Sequence, residues 1–208
     1  MSPVEFSDRL VSDRIQADLG TMVIGQEIMV LEQTGSTSDA VLQIMERDST
    51  EGLVLFAEHQ TAGRGQRGNR WESAAGKGLW FSILLRPMID VTSSPQLTIW
   101  ATQAISEVIQ TEFVIKPTIK LPNDVQIDGR KVAGVLVEMR AQEGAPHVAI
   151  VGIGINVNHG LQDFPEELQS RAISLAMALG RQIDRQKFVV ALLRNLDWSY
   201  RERFGRLA

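Results

Sequence analysis

The chain has 208 residues, a net charge of −4 and no cysteine, which excludes a disulfide scaffold, a thiolate zinc site and a cysteine nucleophile. Hydrophobic residues make up 44% and charged residues 22%, the balance of an ordinary globular chain that suits one large domain or two small ones. An acidic total argues against general affinity for nucleic acid, and no run of about 18 apolar residues offers a membrane span.

Residues 1–20 carry Glu5, Asp8, Asp13 and Asp18 and no apolar run, unlike a signal or transit peptide, so the expected location is cytoplasmic. Leu10, Val11, Ile15 and Leu19 recur at helical spacing and predict a helix over 6–19, capped by Ser7 or Asp8. Residues 28–31 read as a short strand. The cluster Thr34-Gly35-Ser36-Thr37-Ser38 is a turn and cap ahead of a short helix bearing Ala40, Val41, Ile44 and Met45. Residues 53–57 and 79–85 read as buried strands. The long stretch between them is rich in glycine and charge, and such a loop in a compact domain is usually functional.

A longer helix is expected over 94–113, then strands at 118–121 and 125–127. Asp128-Gly129 signals a hairpin, because both positions tolerate positive φ. The returning strand, 131–139, leads to a turn at Glu143-Gly144-Ala145-Pro146 and a strand at 148–157. Helices at 173–179 and 184–204 close the pattern. Phe188, Leu192, Leu196, Tyr200 and Phe204 form a core stripe on the last. Helices around hairpin-joined strands predict one α+β domain over 1–208, with a mixed, largely antiparallel sheet flanked by helices.

Charge is uneven along this pattern. Between His59 and Gly78 four cations (Arg64, Arg67, Arg70, Lys77) stand against Glu72 alone, which suggests a specific anion. Their centre, Gly63-Arg64-Gly65-Gln66-Arg67-Gly68, matches the dinucleotide pattern G-x-G-x-x-G, but no helical periodicity follows it, as that reading needs. A P-loop fails as well, since Asn69 stands where its lysine belongs, and a kinase loop lacks its partner motifs. What remains is glycine backbone that can approach an oxyanion, beside arginine forks suited to phosphate or carboxylate. A solvated basic turn is the plain alternative.

A second set, Lys120-Leu121-Pro122-Asn123-Asp124 with Lys131 and Gly134, lies on the predicted hairpin. Asn123 and Asp124 alone read equally well as a turn pair. Lys131 opens an otherwise apolar strand, where a cation is costly unless paired or functional. In the third piece, Gly152-Ile153-Gly154-Ile155-Asn156-Val157-Asn158, glycines within a strand suggest close approach of a ligand or backbone.

These pieces occur in order with Ser36-Thr37-Ser38, Glu58-His59-Gln60-Thr61-Ala62, Arg70-Trp71 and Leu79-Trp80-Phe81-Ser82. Together, from about residue 28 to residue 204, they resemble the catalytic domain of biotin protein ligase, or biotin–[acetyl-CoA-carboxylase] ligase. The resemblance implies a class II synthetase-like fold and two steps: biotin and ATP give biotinyl-5′-adenylate, and the biotinyl group then passes to a lysine of a biotin carboxyl carrier protein. It implies Mg²⁺ with the ATP, without naming protein ligands for it. Lys131, Arg64 and Asp124 are implied as catalytic, Asp124 acting on the incoming amine. Biotin would be held by Ser36, Thr37, Ser38, Gln60, Gly63, Arg64, Trp80, Lys131 and Gly134. The adenylate would lie against Arg64, Gly65, Gln66, Arg67, Trp71, Asn123, Lys131 and Asn156.

The chain departs from the family pattern at Gln66, where many members carry arginine, at Leu121 for tryptophan, and at Ser38 for asparagine. The family's N-terminal helix-turn-helix region and small C-terminal β domain are not expected, so neither is DNA binding; a homodimer is implied. A lipoate or octanoate transferase, and a non-catalytic biotin- or nucleotide-binding regulator, are the competing readings.

Overall fold

The computed structural model describes residues 8–21, 23–45, 50–142 and 147–205. Among these residues seven strands form one sheet: β1 (Glu27–Thr34), β2 (Leu53–Gln60), β3 (Gly78–Leu85), β4 (Thr118–Lys120), β5 (Asp124–Ile127), β6 (Arg130–Arg140) and β7 (Val148–Asn156). The order is β1-β2-β3-β7-β6-β5-β4. Only β1 with β2 is parallel, joined through helix α2 (Thr37–Met45); the other pairings are antiparallel. The mixed, largely antiparallel sheet expected from the sequence is the one the chain adopts.

Successive side chains on a strand face opposite ways, and β2 shows where they go. Val54 and Phe56 join the core formed with α1 (Ser12–Leu19), α3 (Ser94–Phe113) and α6 (Arg185–Phe204). Leu53 and Leu55 join a smaller core under Val41 of α2. Both faces of β2 are covered, which is why it reads as a continuous apolar run. The helix α3 packs on α6 through Trp100, whose Nε1 donates to Ser199 Oγ at 2.8 Å and whose ring lies 5.4 Å from that of Tyr200. The stripe expected on α6 is in that core, with Phe204 at its partly buried end.

The hairpin at Asp128-Gly129 closes β5 on β6 with φ of 51° and 72°, both in the left-handed region that the pair was expected to tolerate. The first helix starts later than expected, at Ser12, with Val11 at its cap position. Asp8 is not its cap, because its carboxylate accepts from Asn158 and Arg185. Ser7 and the turn at 143–146 lie outside the described residues. Two short helices complete the set: α4 (Glu166–Gln169) and α5 (Leu175–Leu179). Ser174 caps α5 by accepting from Met177 N at 3.0 Å, so the helix expected over 173–179 begins at Leu175.

The helix α2 covers the second face only over β2, β3 and β7. The part over β5, β6 and the end of β7 is left to loops, and the candidate site lies there.

Candidate active site

Antiparallel register puts residues directly opposite one another on the same face. One such row crosses the sheet as Trp80, Gly154, Gly134, Asp124 and Lys120. The next carries Ser82, Gly152 and Leu136. The glycines make a flat floor. A Cβ on Gly154 would lie 2.5 Å from the Trp71 ring, and one on Gly134 would lie 2.8 Å from both that ring and Lys131 Cε. The glycines of β7 predict close approach of a ligand or a backbone; what lies close to Gly154 is a side chain, the Trp71 ring, which with Lys131 also crowds Gly134.

Over this floor opens a pocket of about 450 Å³ including its mouth, lined by Ser36, Thr37, Ser38, Gln60, Arg64, Gly65, Gln66, Trp71, Asn123, Lys131, Gly134 and the 152–154 strand. One end is a hydroxyl–amide chain. Thr37 donates from N and Oγ1 to Gln60 Oε1 at 2.8 and 3.2 Å, Thr37 Oγ1 meets Ser82 Oγ at 2.8 Å, and Ser82 Oγ meets Ser38 Oγ at 3.1 Å. Each hydroxyl has one proton, so donation runs in one direction, from Ser38 through Ser82 and Thr37 to Gln60. Ser38 therefore offers the pocket lone pairs. The Gln60 amide, fixed by its carbonyl contacts, offers N–H and already donates to Ser73 Oγ at 3.2 Å.

The glycine loop is a tight hairpin. Trp71 N donates to Gly63 O at 2.9 Å and Gly65 N to Asn69 O at 2.7 Å. A Cβ on Gly63 would stand 2.6 Å from Trp71 O, so that approach requires glycine. At the pocket mouth Arg64 is half-exposed and held by two carboxylates, Asp39 of α2 at 3.0 Å and Glu138 of β6 at 2.7 Å.

Lys131 stands where this pocket joins a wider groove. Its Nζ lies 2.6 Å from Asp124 Oδ1 and 5.0 Å from the centre of the Trp71 ring. The costly cation of the sequence is thus paired. Its backbone is tied independently, with N donating to Arg171 O at 2.7 Å and O accepting from Ile173 N at 3.0 Å. Asn156 Nδ2 donates to Lys131 O and Ile173 O at 3.4 and 3.2 Å, so its amide N–H groups are committed to backbone. Asn123 likewise ties its turn to β6, donating from Nδ2 to Val135 O at 3.3 Å. The groove encloses about 1240 Å³ including open solvent, and Trp71, Lys131, Asp124, Asn156, Lys120 and Arg171 are among its walls. The arrangement sets an anchored polar pocket end to end with a polar groove, with an ammonium–carboxylate pair at the join.

Several expected residues stand elsewhere. Trp80 lines neither cavity; it is fully buried beside the floor, edge-on to Trp71 at 6.0 Å and to His159 at 5.6 Å. Its large ring completes the core instead of a ligand wall. Gly63 lies within the hairpin, and Arg67, with φ of 59°, projects at the exposed tip; neither lines a cavity. Glu58, quoted within the motif, is buried against Arg185 at 2.8 Å.

The stretch 159–172 carried no expectation, yet it forms one side of the groove. Its signal was weak: Pro165, Glu166 and Glu167 are a plausible helix start, but α4 is one turn long. His159 lies here, stacked on Phe164 at 4.8 Å. Burial lowers its pKa from 6.5 to about 4, opposed by Asp163 and reinforced by Lys77 and Arg185. The ring is neutral in the fold but charges below its ordinary pKa once unfolded. It therefore stabilises fully above pH 6.5, and this is lost as pH falls from about 6.5 towards 4, by roughly 2–3 kcal/mol. We expect His159→Phe to flatten the pH dependence of urea-unfolding stability in that window; an unchanged slope would refute the assignment.

Residues 30–156 match the model of the biotin/lipoate A/B protein ligase family. The chain is 38% identical over 194 residues to the bifunctional ligase/repressor BirA of Bacillus subtilis, covering 93% of this chain and 60% of that protein. It is 32% identical over 200 residues to the biotin–[acetyl-CoA-carboxylase] ligase of Mycobacterium tuberculosis, covering 91% and 72%. In fold it is similar to the biotin protein ligase of Aquifex aeolicus in complex with biotin and ATP, with a TM-score of 0.73, 31% identity, and 87% of this chain and 74% of that one covered. The chain thus spans about three fifths of the length of its Bacillus relative.

Proposed function

The chain belongs to the biotin/lipoate A/B protein ligase family, and from that premise we propose that it joins biotin to ATP and passes the biotinyl group to a protein lysine. The observation that carries this reading is the Lys131–Asp124 pair at the junction of pocket and groove. A carboxylate in the pocket and an α-phosphate in the groove meet there, and the ammonium offsets the repulsion of the two anions.

The Ser36–Ser38 turn and Gln60 face the polar ureido ring, with the glycine floor and Leu136 under its apolar part. Arg64 is placed to leave its two carboxylates for that of biotin. Trp71, Asn123 and Gln66 border the adenylate. The pyrophosphate leaves; Asp124 then takes a proton from the incoming ammonium, the freed amine attacks the acyl carbon, and the acyl–oxygen bond to the phosphate breaks to release AMP. That amine, with an unperturbed pKa of about 10.4, arrives mostly protonated. Mg²⁺ supplied with ATP would offset phosphate charge, and one or two carboxylates of the groove would suffice to hold it. Asp124 and Glu72 are the acids that border the groove.

The acceptor we propose is a biotin carboxyl carrier protein, and the location cytoplasmic. Self-association through an edge of the sheet, β1 or β4, is part of the same reading, and sedimentation checks it. The test of function is biotin-dependent exchange of pyrophosphate into ATP, with lipoate as control; exchange driven by lipoate and not biotin overturns it.

Gln66 lines the pocket and removes one charge from the grip on the adenylate. Gln66→Arg is expected to slow release of biotinyl-adenylate several-fold, as a charge-assisted hydrogen bond of roughly 1–2 kcal/mol would. Equal release rates count against this.

A further inference from the structure

We propose that Ser82 is a positioning residue for the ligand ring: it fixes the proton order of the hydroxyl chain at the pocket end and so makes that end select a ring N–H. This rests on the ligase reading above, which places the ureido ring of biotin there. Ser82 stands in the Leu79-Trp80-Phe81-Ser82 motif, yet it lines neither cavity. It is fully buried on β3, opposite Gly152 of β7. Its Oγ lies 2.8 Å from Thr37 Oγ1 and 3.1 Å from Ser38 Oγ, and both of those residues line the pocket.

One backbone group sets the order. Thr37 N–H can only donate, and its bond to Gln60 Oε1 at 2.8 Å turns the amide oxygen towards Thr37. That oxygen can only accept, so the Thr37 hydroxyl proton goes to it, at 3.2 Å. Ser82 is then left to donate to Thr37, and Ser38 to Ser82. The other arm of the amide donates to Ser73 Oγ at 3.2 Å, so donation runs unbroken from Ser38 to Ser73. Without the Ser82 hydroxyl, the Ser38 proton loses that acceptor and is free to turn into the pocket.

The pocket end therefore pairs an acceptor, Ser38, with a donor, the remaining N–H of Gln60. A cyclic urea carries N–H and C=O on adjacent atoms and satisfies both. A ring with oxygen in place of N–H sets lone pairs against lone pairs, and Ser38 is buried, with little water to relieve the conflict. Gly152 keeps the place tight, since a Cβ there would stand 3.0 Å from Ser38 Oγ and 3.7 Å from Ser82 Oγ. The same proton order disfavours a dithiolane ring, which has no N–H to give.

The test measures calorimetric dissociation constants on the whole chain without ATP, for biotin and for its cyclic-carbonate analogue, in which both ureido N–H groups are oxygen. Wild type should bind the analogue at least ~100-fold more weakly than biotin, and Ser82→Ala should narrow that gap by roughly tenfold or more. Biotin itself should weaken only a few-fold, with kcat at saturating biotin and KM for ATP as in wild type. In a Ser38→Ala background, Ser82→Ala should leave the gap unaltered, because Ser82 acts on the ring through Ser38. Should the alanine variant fail to fold, Ser82→Cys fills the same place with a much weaker donor and should move the gap in the same direction. A gap unchanged by loss of the Ser82 hydroxyl overturns the proposal, as does a change that persists without Ser38 or a kcat that falls in step. Equal binding of the two compounds by wild type also overturns it. A wild-type chain that binds neither overturns the ligase reading itself.

Discussion

Lys131→Ala is expected to lower biotin-dependent pyrophosphate release at least ~10²-fold, which is about 3 kcal/mol of barrier, with little loss of fold. The proposed reaction presses a carboxylate against an α-phosphate. Two unit charges 4 Å apart repel by about 4 kcal/mol at an effective dielectric of 20. A fixed ammonium at the join of the two cavities removes most of that, and alanine restores it. The fold should survive because the lysine backbone is tied by Arg171 O, Ile173 N and Asn156, none of which needs the side chain. Asp124 loses its 2.6 Å partner, but both side chains reach solvent, so the penalty is about 1 kcal/mol. Pyrophosphate release at a near wild-type rate would remove Lys131 from the reaction. A large fall in the unfolding midpoint would instead make its role structural.

The sequence could reveal Lys131 because a charge in an apolar strand is a local anomaly. It could reveal the hairpin because Asp128-Gly129 has a local backbone reason. The pocket floor was half-legible: Gly134 and Gly154 stood out as weak spots in strands, but the residue that needs their space, Trp71, lies far from them in the chain. Trp80 and Trp71 are alike in composition; the register of β3 buries one beside the floor, and the hairpin bond from Trp71 N to Gly63 O sets the other over the cavity. Arg64 and Arg67 show the same limit. Three residues apart in one turn, they differ only in which side of the hairpin they leave. The 159–172 wall was hidden for a further reason. Its ordering comes from a short backbone ladder to Lys131 and the stack of His159 on Phe164, neither of which leaves a periodic trace. Glu58 was open to the argument that found Lys131, since LVLFAEHQ is an apolar strand with one acid. Its partner is 127 residues away, and no local pattern connects the two.

That pair carries the largest expected change in stability. Arg185 is 1% exposed and Glu58 7%. The guanidinium donates from Nη1 to Glu58 Oε2 at 2.8 Å and to Gly78 O at 3.0 Å, from Nε to Asp8 Oδ2 at 3.0 Å, and from Nη2 to Asp8 O. Glu58 also accepts from Leu10 N at 2.8 Å. This cluster pins the segment before α1, the start of α6 and the edge of β3 to the end of β2, two residues before Gln60. Arg185→Met removes the cation, fits the same volume, and leaves a buried carboxylate with one backbone donor. The expected loss is about 3–5 kcal/mol in urea unfolding. Adding Glu58→Gln to Arg185→Met removes the stranded charge and should recover roughly 1–3 kcal/mol. The recovery matters more than the loss, because a packing defect at Arg185 would persist in the double variant and a stranded charge would not. A double variant no more stable than Arg185→Met would mean that Arg185 contributes through shape and its backbone contacts, and that Glu58 is not what it neutralises.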